Sequence, residues 1–403
     1  MANRNNYEDL YQDPYDVTEE LKRQVNEELN EEMRVERQMT NNSSGNQRKK
    51  KRKRKKKLWK GILIFVLLLV ILTGLLVGTQ QGRKIIYNLA SMYITSKTSH
   101  EEEKRQDELN YDTSYEEVFN SHNVVGRKES YVTNILLIGI EEINGARNTD
   151  SMIIASVNTK DDTIKLTSLM RDSYVNVPGW KKTKLNAAYA HGGIALLKQT
   201  IEENYKIHID GYASVNFESF EELIDSLGGI NVQLGEKEAA YLNKTNYISK
   251  KKNRNVKPGM NVMNGNQALG YCRVRKVPTY DGVNNDYGRT LRQRRVLNAI
   301  FEKYKSKNIF SMMSIANDSI KYVSTSLNQS QMSKLMEDVI ENNTQEMETM
   351  QMPVEGHYQS PAKYEGVTWP IVLEWDANIM ELYKFIYGDT EEEARTNLAL
   401  YSK

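Results

Sequence analysis

The sequence predicts an α/β protein, a layered α-β-α domain around a central mixed sheet, preceded by one transmembrane helix. Three observations carry this. Apolar runs of strand length, Asn134–Ile140 (NILLIGI), Ser151–Asn158 and Thr163–Met170, are followed by helix-length patterns at Asn186–Tyr205 and Phe217–Leu227. The turn Lys160–Asp162 between the second and third runs is tight enough for a hairpin, so the sheet is mixed and not purely parallel. Gly61–Gly78 carries no charge and is as long as the roughly 18–20 residues a bilayer-spanning helix needs.

Taken in order, residues 1–57 read as a disordered cytoplasmic tail with a weak helix around Val17–Met33, ending in the basic run Arg48–Lys57. Residues 58–79 are the transmembrane helix, with Trp59 and Lys60 as interfacial anchors. A signal peptide has a shorter apolar region and a short leader, and here the leader is long. The basic run on the N-terminal side sets a single-pass topology in the cell membrane, N-terminus cytoplasmic and the rest extracellular. A basic run also reads as a nucleic-acid patch. Beside a membrane span, topology and anionic lipid explain it better, and a net charge of only +2 over 403 residues implies no nucleic acid partner. Residues 80–129 form an extracellular juxtamembrane stalk or accessory segment, its first part continuing the helix amphipathically, with Ile85, Ile86, Leu89 and Tyr93 as its apolar face.

Residues 130–403 form the extracellular domain. After the hairpin come the helix Asn186–Tyr205, interrupted at Gly192–Gly193, and a short strand at Gly211–Asn216. Phe217–Leu227 is an amphipathic helix ended by Gly228–Gly229, followed by a strand at Ile230–Leu234 and a polar lysine-rich loop at Tyr241–Lys257. Asn264 is placed to cap a short helix ending near Tyr271. A long helix starts at Arg289; Gln329–Asn342 and Ala377–Tyr387 are helices and Glu346–Met352 a strand. The single cysteine, Cys272, excludes an intramolecular disulfide, and one cysteine with five histidines argues against zinc.

The chemistry gathers in two places. Arg273 and Arg275 sit two apart; if their segment is extended they share one face, with Cys272 and Val274 on the other. On the following helix Arg289 and Gln293 share a face with Val296, Ile300 and Tyr304, and Arg294 and Arg295 fall off it and are expected to be solvated. Cations facing a core need anionic partners, and only Asp281 and Asp286 are near in sequence, so a ligand is expected to supply the missing charge. Forked guanidiniums at a helix start suit phosphate or pyrophosphate. The second place is where strands end. Asp150 opens the second strand and Arg171–Asp172 follow the third, so the hairpin makes them neighbours. That set suits Mg²⁺ with a phosphate; an ordinary Asp–Arg salt bridge is the simpler alternative.

These residues together resemble the LytR-CpsA-Psr family of membrane-anchored envelope proteins. The matching segments, in the family's order, are Asn134–Gly139, Thr149–Met152, Ser168–Asp172, Lys184–Gly193, Val215–Gly229, Gly265–Arg275 and Gly288–Gln293. The resemblance implies a Mg²⁺-dependent phosphotransferase. It would take a glycopolymer (teichoic acid or capsular polysaccharide) from a polyprenyl-pyrophosphate carrier and attach it through a phosphodiester to peptidoglycan. It also implies an apolar pocket for the prenyl chain. By motif position Arg171, Arg273, Arg275, Arg289, Gln293 and Lys184 would bind pyrophosphate. Asp150 and Arg171 would be catalytic, and Asp150 and Asp172 would hold metal. The chain departs from the family pattern at Glu141, where Asp is common, at Arg147, three residues before Asp150 and not two, and at Met170, where proline is usual. A lipid-pyrophosphate hydrolase and a non-catalytic membrane regulator are the competing readings; the first differs only in its acceptor.

Overall fold

The computed structural model describes residues 22–24, 26–28, 30–34, 78–109, 126–143, 146–305, 322–341 and 347–401. The chain divides into two units, Met1–Thr79 and Gln80–Lys403. In the first, the described residues 22–34 are helical and exposed. The basic run and nearly all of the apolar run, 61–77, lie outside the described residues. Among the described residues no helix is long and apolar enough to cross a membrane.

The second unit begins with α1 (Gln80–Leu109). Its packed face is Tyr87, Ala90, Ser91 and Ile94, a spacing of three, one and three, whereas Ile85, Leu89 and Tyr93 of the expected apolar face are exposed. Both stripes are apolar enough to be buried, and the chain's own fold chooses between them. The choice is set by β9 (Ser324–Thr325) and α7 (Gln329–Glu341), on which α1 lies, with Lys84 on Glu337 at 2.8 Å.

The central sheet contains β1 (Val132–Ile143), β2 (Ala146–Asn158), β3 (Thr163–Leu169), β6 (Gly211–Asn216), β9 and β10 (Met347–Met352), in the order β10-β3-β2-β1-β6-β9. β1 runs parallel to β6 and β10 parallel to β3, while the β1–β2, β2–β3 and β6–β9 pairs are antiparallel. The expected hairpin is therefore the β2–β3 pair, and the sheet is mixed. After β3 a separate short hairpin pairs β4 (Tyr174–Asn176) with β5 (Lys182–Lys184). Its alternation sorts side chains to two faces. Leu136, Ile138, Met152 and Ile154 pack under α2 (Leu185–Tyr205), α8 (Trp375–Tyr387) and α9 (Glu391–Tyr401). Ile153, Val157, Ile164 and Leu166 face α7 and the long helix α6 (Asn285–Lys305). The architecture is the expected α-β-α sandwich.

A smaller lobe hangs beside the sheet. The hairpin β7 (Ile230–Leu234) and β8 (Gly259–Met263) packs with α3 (Phe217–Ser226), α4 (Glu236–Lys244) and α5 (Gly265–Arg273) around its own core. Gly228 and Gly229, at φ of 71° and 80°, end α3 as the sequence predicts. Asn264 caps α5 by accepting from the Gln267 N–H at 3.0 Å. The segment read as a polar loop from Tyr241 instead continues α4 to Lys244, because Ala239 and Leu242 are buried.

The lobe is fastened to α6 through one closed ion pair. Arg292 and Glu238 are 0% and 1% exposed. Arg292 Nε donates to Glu238 Oε1 at 2.7 Å, Nη1 to the Val274 carbonyl at 3.0 Å and Nη2 to the Val277 carbonyl at 2.9 Å. Glu238 Oε2 accepts the Gly235 N–H at 3.0 Å. Removing one partner of a buried pair leaves an uncompensated charge. Arg292→Met is expected to destabilise the chain by about 3–5 kcal/mol, and the double variant with Glu238→Leu to recover most of it. Denaturant unfolding checks this; a double variant no more stable than the single would refute it.

Candidate active site

The site lies where the paired β1 and β2 extend past β6 and β3 and where α5 and α6 converge. Asp150 owes its position to a bulge. Gly139 pairs with Ser151 and Ile140 with Thr149, so Asp150 is the extra residue on β2. Bulges turn a strand side chain out of register, and Asp150 turns toward the end of β3. The Thr149 hydroxyl donates to the Gly139 carbonyl at 3.0 Å and holds the bulge. Asp150 is thus inside a longer strand, and does not open it.

Arg171 and Asp172 follow β3 after Met170. Arg171 Nη1 donates to Asp150 Oδ1 at 2.5 Å, and Arg289 Nη1 to Asp150 Oδ2 at 3.3 Å. Asp172 Oδ1 lies 2.9 Å from Lys184 Nζ, and its Oδ2 lies 3.6 Å from Arg171 Nε. Asp286, in the first turn of α6, stands 3.5 Å from Arg275, 3.6 Å from Arg289 and 3.8 Å from Arg171. Arg273 Nη2 donates to Glu141 Oε1 at 3.1 Å, and its guanidinium lies 4.6 Å from the centre of the Phe217 ring. Gln293, one turn beyond Arg289, reaches the Cys272 carbonyl at 3.5 Å. Asp150, Arg171, Asp172, Lys184, Arg273, Arg275, Arg289 and Gln293 come from segments far apart in sequence, and the fold gathers them.

Several expectations change. α6 opens at Asn285, so Arg289 lies in its second turn and not at its start. Arg273 is the last residue of α5, not part of an extended strand; Cys272 and Val274 still bury while Arg273 and Arg275 are about 40% exposed. The counter-charge for the arginines comes largely from the protein, because Glu141, Asp150 and Asp172 arrive from other elements. Arg294 is buried and Arg295 pairs with Asp281 at 2.6 Å, so neither is a solvated residue. Val296, Ile300 and Tyr304 pack into the small lobe. The stripe that continues Arg289 and Gln293 is Leu297 and Phe301, four residues apart each time, against the sheet.

The protein's own acids do not finish the job. Among the described residues five cationic side chains meet four carboxylates, and Arg171 Nε, Arg289 Nε and Nη2 and Gln293 Oε1 are buried without a hydrogen-bond partner. Buried donors such as the Arg171 and Arg289 nitrogens, and acceptors such as Gln293 Oε1, normally find partners. Burial lowers the pKa of Arg289, with Asp286 and Asp150 only partly opposing it. For Arg171 burial also lowers it, but Asp150, Asp172 and Asp286 outweigh that and hold it raised. The more buried guanidinium is the less compensated one, so an incoming anion gains most at Arg289. Among the described residues no group of three or more Asp, Glu, His or Cys side chains converges as a metal site.

A model of the LytR_cpsA_psr family matches residues 86–376. The chain belongs to this family. It is 36% identical over 208 residues to the polyisoprenyl-teichoic acid–peptidoglycan teichoic acid transferase TagU of Enterococcus faecalis, covering 50% of this chain and 63% of that one. It is 31% identical over 235 residues to the TagU transferase of Bacillus mycoides, covering 57% and 71%. The match thus spans just under two thirds of the first relative's length and somewhat more of the second's. In structure it is similar to TagT bound to LIIa-WTA, with 25% identity and a TM-score of 0.52 over 70% of this chain and 98% of that one.

Two of this LytR_cpsA_psr chain's departures now have a physical account. Glu141, with its longer arm, reaches Arg273. Met170 donates its N–H to the Met352 carbonyl at 3.0 Å, tying β3's end to β10, a bond the usual proline lacks. The side chain of Arg147 lies outside the described residues. Sequence reading assigned no role to Arg292 or Glu238. Arg292 carried a signal, one turn from Arg289 in the same basic segment; Glu238 carried none. The electrostatics predict that Arg289→Ala weakens binding of inorganic pyrophosphate about tenfold or more, and Arg275→Ala by less. Calorimetry on the two variants checks the ranking, which equal losses would contradict.

Proposed function

We propose that the chain transfers a glycopolymer, carried on a polyprenyl pyrophosphate, to peptidoglycan through a phosphodiester. The observation that carries this reading is the α6 stripe. It runs from the unsatisfied donors of Arg289, beside those of Arg171, to the apolar Leu297 and Phe301 against the sheet. A pyrophosphate at the charged end and a prenyl chain along the apolar one match that sequence of surfaces. The relatives named as teichoic acid transferases support it.

In this reading Arg171, Arg273, Arg275 and Arg289 cradle the pyrophosphate, with Lys184 holding Asp172 in place. Gln293 borders the cradle. The acceptor hydroxyl oxygen forms a bond to the sugar-bearing phosphorus. The bond from that phosphorus to the bridging oxygen breaks, and polyprenyl monophosphate leaves. The arginines oppose the charge that grows on the bridging and outer oxygens. Asp150 is the candidate to accept the hydroxyl proton, and Arg171 fixes its carboxylate. Asp150 and Asp172 are hard oxygen donors of the kind Mg²⁺ takes, with phosphate oxygens and water supplying the rest of its shell. Bound there, Mg²⁺ would neutralise phosphate charge. Both carboxylates now lie on cationic side chains, so such an ion would compete with Arg171 and Lys184 for them.

The basic run followed by the apolar run supports a single-pass chain in the cell membrane, N-terminus cytoplasmic and catalytic domain extracellular.

The test uses the full chain in detergent, a labelled polyprenyl-pyrophosphate glycan and peptidoglycan fragments. Label is expected to become covalently joined to peptidoglycan, and Arg273→Ala to lose most of that transfer. Free sugar phosphate without transfer would establish the hydrolase, and lipid binding with neither product the regulator. Chelation of Mg²⁺ is expected to weaken lipid binding as well as slow transfer; unchanged binding and rate in EDTA would remove the metal from the scheme.

A further inference from the structure

On the other side of α6 from Arg289 lies a cavity of about 650 Å³. Arg294 lines it, 7% exposed, with Nε and Nη1 buried and unpartnered. Among the described residues it forms no ion pair and no hydrogen bond. Arg295 Nη1, in the same wall, is also buried and unpartnered, while Arg295 Nη2 holds Asp281 and its guanidinium lies 4.0 Å from the centre of the Tyr280 ring. Three amides also line it, the exposed β7 side chains Asn231 and Gln233 and, from α6, Asn298. Glu302 is the only carboxylate among the described lining residues, against three cations, Arg294, Arg295 and Lys303.

A guanidinium shut from water, with nothing to bind among the described residues, is costly, and proteins rarely keep one without an anion. Burial, with Arg295 beside it, pulls the Arg294 pKa down to about 10, so it is still charged at neutral pH. A buried cation that no anion answers opposes folding. Amides and a half-exposed tyrosine, Tyr280, in one lining match the hydroxyls and ring faces of a sugar, and the guanidinium matches an oxyanion on it. We propose that this cavity is a second oxyanion site, separate from the arginine cluster, which binds a phosphate or carboxylate carried on a saccharide chain. It does not depend on the transferase reading, because it concerns binding at residues that take no part in that chemistry.

The experiment measures binding to the full chain in detergent by calorimetry. Three probes are used: a glycerol-phosphate oligomer bearing sugar substituents, inorganic phosphate, and inorganic pyrophosphate. The variants are Arg294→Gln and Arg294→Met, which keep the volume and remove the charge, and Arg171→Ala, which disables the arginine cluster. Both Arg294 variants are expected to bind the oligomer about tenfold or more weakly. Pyrophosphate affinity and cooperative unfolding should be unchanged or, for unfolding, shifted to higher temperature. Arg171→Ala should show the reverse, weak pyrophosphate and intact oligomer binding. Oligomer binding untouched in both Arg294 variants would overturn the site. Inorganic phosphate binding as tightly as the oligomer would overturn its assignment to a saccharide. A melting temperature that falls in both variants would make Arg294 a structural residue and refute the proposal.

Discussion

The guanidinium of Arg292 has no access to water, and its donors reach Glu238 and two backbone carbonyls. Those carbonyls, of Val274 and Val277, belong to the segment between α5 and α6, which carries Arg275. One side chain thus sets where Arg273 and Arg275 stand relative to Arg289, which shares its helix. Gly288 belongs to the same arrangement. A Cβ there would meet the Val283 carbonyl oxygen at 2.7 Å and Arg292 Nη1 at 3.2 Å, so the turn into α6 closes only around a residue without a side chain. The small lobe has its own core and its own sheet, and its role in the site is to hold this geometry.

The sheet contributes differently. A regular β2 would alternate Asp150 strictly with its neighbours, one face or the other. The bulge breaks that alternation at one residue and sends its carboxylate to the far end of the hairpin, where Arg171 and Arg289 meet it. Strand ends are where backbone pairing stops and side chains are no longer committed to a core, so charged groups can cluster there at low cost. α6 then joins the two physical regimes of the site. Its successive turns carry Arg289, Gln293, Leu297 and Phe301, charge giving way to amide and then to hydrocarbon along one line. A ligand with a charged head and an apolar tail meets each part in turn. The other faces of the same helix hold Arg292 in the core and Arg294 in its separate cavity.

Much of this was legible without coordinates. The runs NILLIGI, SMIIASVN and TIKLTSLM are strands because both sheet faces are buried and apolar content is continuous; turn chemistry at Lys160–Asp162 placed Asp150 beside Arg171. The helix-ending Gly228–Gly229 and the capping Asn264 acted locally, and local rules found them. The errors share a cause. Arg294 and Arg295 looked solvated because a helical wheel shows directions and not what lies in each direction. The exposed Ile85, Leu89 and Tyr93 looked like the packed face of α1 for the same reason.

What the sequence by itself determined was the class of the fold, the order of its elements, the charge segregation around an apolar run, and the identity of the residues that form the cationic cluster. Each follows from periodicity, turn residues or charge, which are properties of neighbours in the chain. Beyond the Asp150–Arg171 neighbourhood that the hairpin predicts, only the tertiary structure decided which carboxylates answer which arginines, because Glu141, Asp150, Asp172 and Asp286 reach the cluster from four separate segments. It alone decided that Glu238 is the partner of Arg292, 54 residues away. Hydrogen bonds and ion pairs at that separation depend on distances in space, and no pattern along the chain encodes them.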